Sequence, residues 1–406
     1  MSESGSIYWR RNLAVCMIGA FSTTLGLTIM LPFLPLFVEQ LGVTGHDAIV
    51  QWSGIAFSGT FLSAGLIAPL WGRLGDRFGR KAMLIRASLG LSVVICLLGF
   101  ATNIYTLIVL LLLVGLAGGY GSGATILIAV QAPDKRSGWA LGMIASSVMA
   151  GNLVGPLLGG WLPPLIGIPR TFWSAGVIIF VAFLLTWLFV VEDKKSTSKT
   201  KQKTSGGFGS FQGKSAVVYM LITGMFLMVA NVSIEPIITV FISSIEHDQS
   251  HITQTAGMVM SAAALGSVLS ASWLGKLADH IGHVRVIILG MIAAGVLLIP
   301  QAYVTAGWQL IVLRFLMGIA LGGLLPCTSV VIKKIVPVEI IGLVMGYSVS
   351  AKFIGQFLGP FLGGIIGGNL GIQYVFIITS ILMFIGAGFN MYVASKAKQR
   401  VYDCQK

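Results

Sequence analysis

The sequence predicts an all-α integral membrane protein whose twelve transmembrane helices form two pseudo-symmetric six-helix bundles. Three observations carry that prediction. The mean hydropathy is +0.91 and only 10% of the 406 residues are charged, against roughly 25% in a soluble domain. Short polar breaks divide the chain into twelve apolar stretches, each near the roughly 20 residues needed to cross a bilayer as helix. A glycine and proline pattern from the first half recurs in the second. Together these exclude a soluble globular domain, a disordered chain and a disulfide scaffold. Cys16, Cys96, Cys327 and Cys404 lie far apart in the sequence and suggest neither a disulfide framework nor a metal site.

The polar breaks place the spans at residues 12–38, 49–70, 82–101, 105–131, 139–162 and 171–191 in the first half. In the second half they fall at 216–243, 252–274, 286–304, 307–332, 340–366 and 372–395. Span one follows a short polar leader with no small-residue cleavage site, so it reads as a retained helix. Residues 192–214, rich in Lys, Ser, Thr and Gly, read as a flexible linker. The expected organisation is a six-helix half over 1–191, a cytoplasmic linker over 192–214 and a second six-helix half over 215–406.

Basic residues orient the spans, because their transfer across a membrane is resisted. Arg10 and Arg11, Arg73 to Lys81, Lys135 and Arg136, the linker lysines, Lys276 and Arg285, Lys333 and Lys334, and the tail from Lys396 all fall on one side. They number 22 against Arg170 alone on the other side, which predicts that both termini are cytoplasmic. The formal net charge of +13 follows from this topology and does not point to nucleic acid. Arg86, Arg314 and Lys352 fall inside predicted spans.

Comparing the halves shows a duplication. Gly142, Gly151, Gly155, Pro156, Gly159 and Gly160 in span five spell a pattern repeated 204 residues later by Gly346, Gly355, Gly359, Pro360, Gly363 and Gly364 in span eleven. Gly72, Leu74, Asp76 and Gly79 recur 203 residues on as Gly275, Leu277, Asp279 and Gly282. Two parallel six-helix repeats are the architecture of one large transporter class.

These motifs resemble the major facilitator superfamily over essentially the whole chain, and within it the twelve-span drug:proton antiporters of the bacterial MdtG type. The segment from Gly72 to Lys81 is similar to that family's signature loop, and the span-five pattern to its antiporter motif. Leu25, Gly26, Pro32 and Pro35 are similar to its first-span motif. The resemblance implies the family's fold and a cytoplasmic gate latch built from Gly72, Asp76, Arg77, Gly79 and Arg80. The second loop copy, with Asp279 but with His280 and His283 in place of Arg77 and Arg80, implies a weaker latch. Read without the resemblance, the loop is a positive-inside turn, which explains the basic residues but not Asp76. The span-five glycines read equally well as a hinge, with Pro156 bending the helix, or as ordinary close packing. The GxxxG rows of Gly115, Gly119 and Gly123, and of Gly318 and Gly322, read as packing.

Charges within the bilayer are the sharpest functional candidates, because each costs several kcal/mol near the centre unless it is paired or wetted. Glu235 is the one acid well inside a predicted span, about eight residues from the outer end of span seven. Arg314 lies at similar depth in span ten, and Lys352 near the middle of span eleven offers a second partner. Glu235 is the leading proton-coupling candidate. A static ion pair and a contact for a cationic substrate group stand beside it as alternatives. Where the family carries an Arg in span four, this chain has Leu111 before Gly115, whereas Arg314 before Gly318 keeps it in the second half. Phe21, Thr24, Tyr120 and Asn231 are cavity candidates that read equally well as packing residues.

No glycine-rich stretch precedes a Lys-Ser or Lys-Thr pair, so there is no phosphate-binding loop to suggest an ATP-driven pump. A receptor or scaffold would carry a soluble signalling domain, and an intramembrane hydrolase would need paired acids. The expected function is therefore secondary active export of amphipathic drugs or related small molecules from a bacterial cytoplasmic membrane. The proton gradient is the energy source, and no cofactor or metal is expected. The expected partners are the substrate, protons and lipid, for a monomer. The alternative is a dedicated exporter of one metabolite, such as a siderophore or sugar, and sodium could replace the proton.

Overall fold

The structure, a computed structural model, describes residues 8–192, 214–246, 251–337 and 340–403. Most of the expected linker lies outside the described residues. Among the described residues, twelve helices are long and apolar enough to cross a membrane. The first six are Trp9–Gln40, His46–Gly75, Arg80–Leu98, Ile104–Gln131, Lys135–Ile166 and Ile168–Phe189. The others are Lys214–Ile245, Ile252–Ile281, His283–Gln301, Gly307–Ile335, Ile341–Asn369 and Ile372–Ser395. They match the twelve stretches read from the sequence, and no strand occurs among the described residues. Several helices run past the apolar limits, because a helix satisfies its own backbone and continues into the polar layer.

Four spans are interrupted, and the interruptions follow the internal repeat. Span one breaks between Trp9–Thr28 and Leu34–Gln40, and span seven between Lys214–Val232 and Ile238–Ile245, each through a short 3-10 turn. Pro32 and Pro236, 204 residues apart, sit in those turns, where each removes a helical donor. Span four breaks between Ile104–Ala117 and Tyr120–Gln131 at Gly118 and Gly119. Span ten breaks between Gly307–Leu321 and Leu324–Ile335 at Gly322 and Gly323.

The chain divides into two compact units. One comprises Met1–Thr44, Gly59–Lys201 and Asp248–Ser261; the other comprises Gly45–Ser58, Gln202–His247 and Ala262–Lys406. The start of span eight thus groups with the first unit and the start of span two with the second.

In the first unit, span five packs two glycine faces onto two neighbours. A Cβ on Gly151 would lie 2.8 Å from that of Thr24, one on Gly155 3.1 Å from the Leu25 carbonyl, and one on Gly159 would overlap the Ile29 carbonyl of span one. The Thr28 hydroxyl donates to the Gly151 carbonyl at 3.2 Å. On the other face Gly160 meets the backbone of Thr253, Gly257 of span eight meets the Pro156 carbonyl, and Ser261 donates to the Leu153 carbonyl at 2.7 Å. The second unit repeats the plan. Gly355, Gly359 and Gly363 of span eleven lie on the Met225, Val229 and Ser233 carbonyls of span seven, and Gly364 would crowd Gly54 of span two.

The motif's first glycines differ, since a Cβ on Gly142 or Gly346 meets nothing within 4 Å. The helix also runs without interruption through Pro156, from Asp134 to Ile166. Of the two sequence readings of the pattern, hinge or close packing, this geometry supports packing.

Gly159→Val is expected to destabilise the purified protein by about 1–3 kcal/mol through overpacking, while Gly142→Ala stays within about 0.5 kcal/mol. Denaturant unfolding in detergent measures both; equal losses would contradict the packing account.

Candidate functional site

The charged groups of the second unit do not form one cluster. Glu235 opens the short 3-10 turn Glu235–Ile237 where span seven is interrupted, three residues before the helix resumes at Ile238. It is partly exposed, and Asn231, one turn earlier, is exposed. Arg314 of span ten is only 4% exposed and interacts electrostatically with Glu235. No ion-pair contact within 4.0 Å joins them, and the Nε and Nη2 groups of Arg314 have no hydrogen-bond partner. A carboxyl and a guanidinium that attract each other without touching can be bridged or separated at low cost, unlike a closed bidentate pair.

Lys352, expected as a second partner for Glu235, lies elsewhere. Its Cε is 4.0 Å from the Cβ position of Gly224, eleven residues before Glu235 on span seven, and its Nζ reaches the Ser329 hydroxyl at 3.4 Å. Eleven residues of helix measure about 16 Å, so this lysine and the acid occupy different levels of span seven.

Tyr120, a cavity candidate, is 2% exposed in the core of the first unit, packed on Gly19, with its hydroxyl 2.7 Å from that of Thr186. Phe21 and Thr24 are partly exposed, and both contribute to the packing of span one on Gly151.

At the signature loop, the side chain of Asp76 lies outside the described residues. Gly72 meets nothing within 4 Å of its Cβ position, so it mediates no close helix approach there. Arg77 is exposed and stacks over Phe78 at 5.3 Å. Gly79 has φ +94°, a left-handed conformation that favours glycine, and a Cβ there would lie 2.7 Å from a Glu192 oxygen. The Glu192 carboxylate accepts from the amides of Arg80 at 2.7 Å and Lys81 at 3.0 Å, capping the start of span three. In the second copy Asp279 is exposed and lies 3.5 Å from His283, one turn on.

Glu192, expected in the linker, stands at the end of span six beside a polar knot that the sequence does not signal. Asn12, fully buried, donates to the Gln131 side chain and to the Val191 carbonyl, each at 2.7 Å, and accepts from the Val191 amide at 3.1 Å. Gln131 also donates to the Val191 carbonyl at 3.0 Å. Spans one and four thus grip the end of span six, and the next residue caps span three. Arg86 holds a second polar junction, donating to the Leu116 and Gly118 carbonyls at the break of span four.

The family model of the Major Facilitator Superfamily matches residues 16–253 and 221–401. The chain belongs to the major facilitator superfamily. It is 38% identical over 390 residues to multidrug resistance protein MdtG of Enterobacter lignolyticus, covering 96% of this chain and 93% of that protein. With the MdtG of Salmonella typhimurium it shares 39% over 385 residues, 95% of each chain. Its fold is similar to that of a crystal structure of a bacterial homologue of the human lysosomal transporter Spinster. The TM-score is 0.76 at 16% identity, covering 97% of this chain and 98% of that one. As a member of the superfamily the protein is a multi-pass membrane protein, and the end of its signature loop, at the amides of Arg80 and Lys81, is capped by an acid from the end of span six.

Asn12→Ala is expected to cost about 1–3 kcal/mol by leaving buried partners unsatisfied. Tyr120→Phe is expected to cost about 1 kcal/mol and to leave the substrate range unchanged; unfolding and drug-susceptibility assays test the pair, and a changed range in Tyr120→Phe would return that residue to a cavity role.

Proposed function

We propose that the protein is a secondary active exporter that exchanges amphipathic drugs or related small molecules for protons across a bacterial cytoplasmic membrane. Glu235 carries the reading. It is an acid at the interruption of a membrane-spanning helix, electrostatically tied to a buried arginine that it does not touch. Such an acid can exchange a proton with one side of the membrane and respond to a substrate that alters its surroundings. The relatives named multidrug resistance proteins support the substrate class, and their coverage of the whole chain supports carrying it over.

Transport proceeds by alternating access of the two six-helix repeats about a midplane site. Glu235 is the proton carrier and Arg314 its electrostatic partner. Lys352, at another level, acts separately from that pair. The protein performs no catalysis, needs no cofactor beyond the proton gradient and works as a monomer. Both termini and the signature loop face the cytoplasm, a reading supported by the 22 basic residues gathered on one side of the spans against Arg170 on the other.

Everted membrane vesicles, energised to be acidic inside, test this reading. Adding a transported drug is expected to alkalinise the wild-type lumen, and Glu235→Gln is expected to abolish that response with protein level and drug binding largely kept. An unchanged response in Glu235→Gln would remove the acid from coupling. Silence of the wild type toward every drug would favour a dedicated exporter of one metabolite.

A further inference from the structure

We propose that Arg86 and Trp71 form a clamp that holds span four open at Gly118–Gly119, coupling the signature loop to the bend of that helix. The break frees several carbonyls, among them those of Leu116 and Gly118, which a continuous helix would pair with the amides of Tyr120 and Ser122. Arg86 Nη1 donates to the first at 3.1 Å and Nη2 to the second at 2.9 Å. Trp71 Nε1 donates to the Leu116 carbonyl at 2.9 Å, and the guanidinium lies 3.7 Å from the Trp71 ring centre. One cation, one indole and two carbonyls thus close a polar junction between three helices.

The break does not follow from the glycines alone. The position 203 residues after Gly119 is Gly322, yet Gly322 and the Gly323 that follows it keep right-handed angles, with φ −58° and ψ −29°, and φ −100° and ψ −7°; Gly118 has Leu321 at the same offset. Gly119 instead adopts φ +103°. At the positions 203 residues after Trp71 and Arg86 stand Leu274 and Leu289, which have no donor to offer a freed carbonyl. Where the side chains are apolar the backbone stays near helical, and where a guanidinium and an indole supply donors it opens. Orphaned carbonyls in hydrocarbon are costly, so without the clamp span four gains by re-forming its own hydrogen bonds.

Placement gives the clamp a purpose. Trp71 immediately precedes Gly72, and Arg86 follows Lys81 by five residues, so the two flank the signature loop. The half of span four beyond the break is fixed to other helices, through Tyr120 to Thr186 and through Gln131 to Asn12 and Val191. A shift of the loop is therefore passed to the junction between two anchored half-helices. Arg86 is a positioning residue, and the role of the clamp in transport rests on the exporter reading.

The test is the distance between spin labels at Tyr105 and Val130, exposed positions on either side of the break, in full-length protein with its four cysteines replaced. An unbroken helix would hold the two Cα atoms about 37 Å apart. The labelled parent is expected to give a shorter separation, and Arg86→Leu with Trp71→Leu, copying the second repeat, to move it toward the unbroken value. Drug-driven proton movement in vesicles should fall about tenfold in that variant. If the double variant does not reach the membrane, Trp71→Phe and Arg86→Lys decide the matter, since one removes the indole donor and the other the planar fork while keeping the charge. Both should shift the distance in the same direction by less. An unchanged distance in the variants overturns the clamp, and an altered distance with full transport overturns its role in transport. A wild type that moves no drug counts against the exporter reading, and the distances still decide the clamp.

Discussion

Helices surrounded by lipid gain little from hiding apolar side chains against each other, so their association depends on close backbone contact and on interhelical hydrogen bonds. In this protein that constraint is met by the glycine faces of spans five and eleven. Each presents one face to the interrupted helix of its own repeat, span one or span seven, and the other to a helix of the opposite repeat. Most of the contacts bring a glycine position against a backbone carbonyl, with short side chains such as Thr24, Thr28 and Val232 beside them. This explains why motif glycines at contact positions differ from Gly142 and Gly346, which share the pattern and touch nothing.

On that duplicated frame the charges are placed unequally. Glu235, Arg314 and Lys352 stand where the first repeat carries Leu31, Leu111 and Val148, while Arg86 stands where the second carries Leu289. Each of these substitutions exchanges an apolar contact for a charge that must find a partner or water. Arg86 finds carbonyls, Lys352 a hydroxyl, and Arg314 a carboxyl it attracts without touching. The backbone duplication supplies the architecture, and departures from it place the buried charges.

The twelve spans and the duplication were legible because hydropathy and glycine spacing are local, repeated signals. Glu235 and Arg314 stood out for the same reason, as charges in apolar runs. What escaped was set by three-dimensional neighbours. Tyr120 reads as a polar aromatic beside glycines and proves to be core, because Thr186, 66 residues away, satisfies its hydroxyl. Lys352 was grouped with Glu235 by depth along separate helices, which does not specify the level at which two helices meet. Asn12, Gln131 and Glu192 sit at span ends where polar residues are ordinary, so neither the grip of Asn12 and Gln131 on the end of span six nor the cap of Glu192 on span three left a trace in the sequence. The interruptions of spans one, four, seven and ten were not read from the sequence: Gly119 and Gly322 read there as packing residues, and the mild break at Gly322 and Gly323, where both glycines keep right-handed angles, differs from the left-handed Gly119 although glycine occurs at both.

The proposed exchange sets a proton on an acid of the second repeat against the substrate. It is tested most directly by following pH in a weakly buffered solution of purified protein as a transported drug is added. Net proton release is expected from the wild type and none from Glu235→Gln at matched drug binding. Equal release from the two proteins would contradict it and place the exchanging group elsewhere.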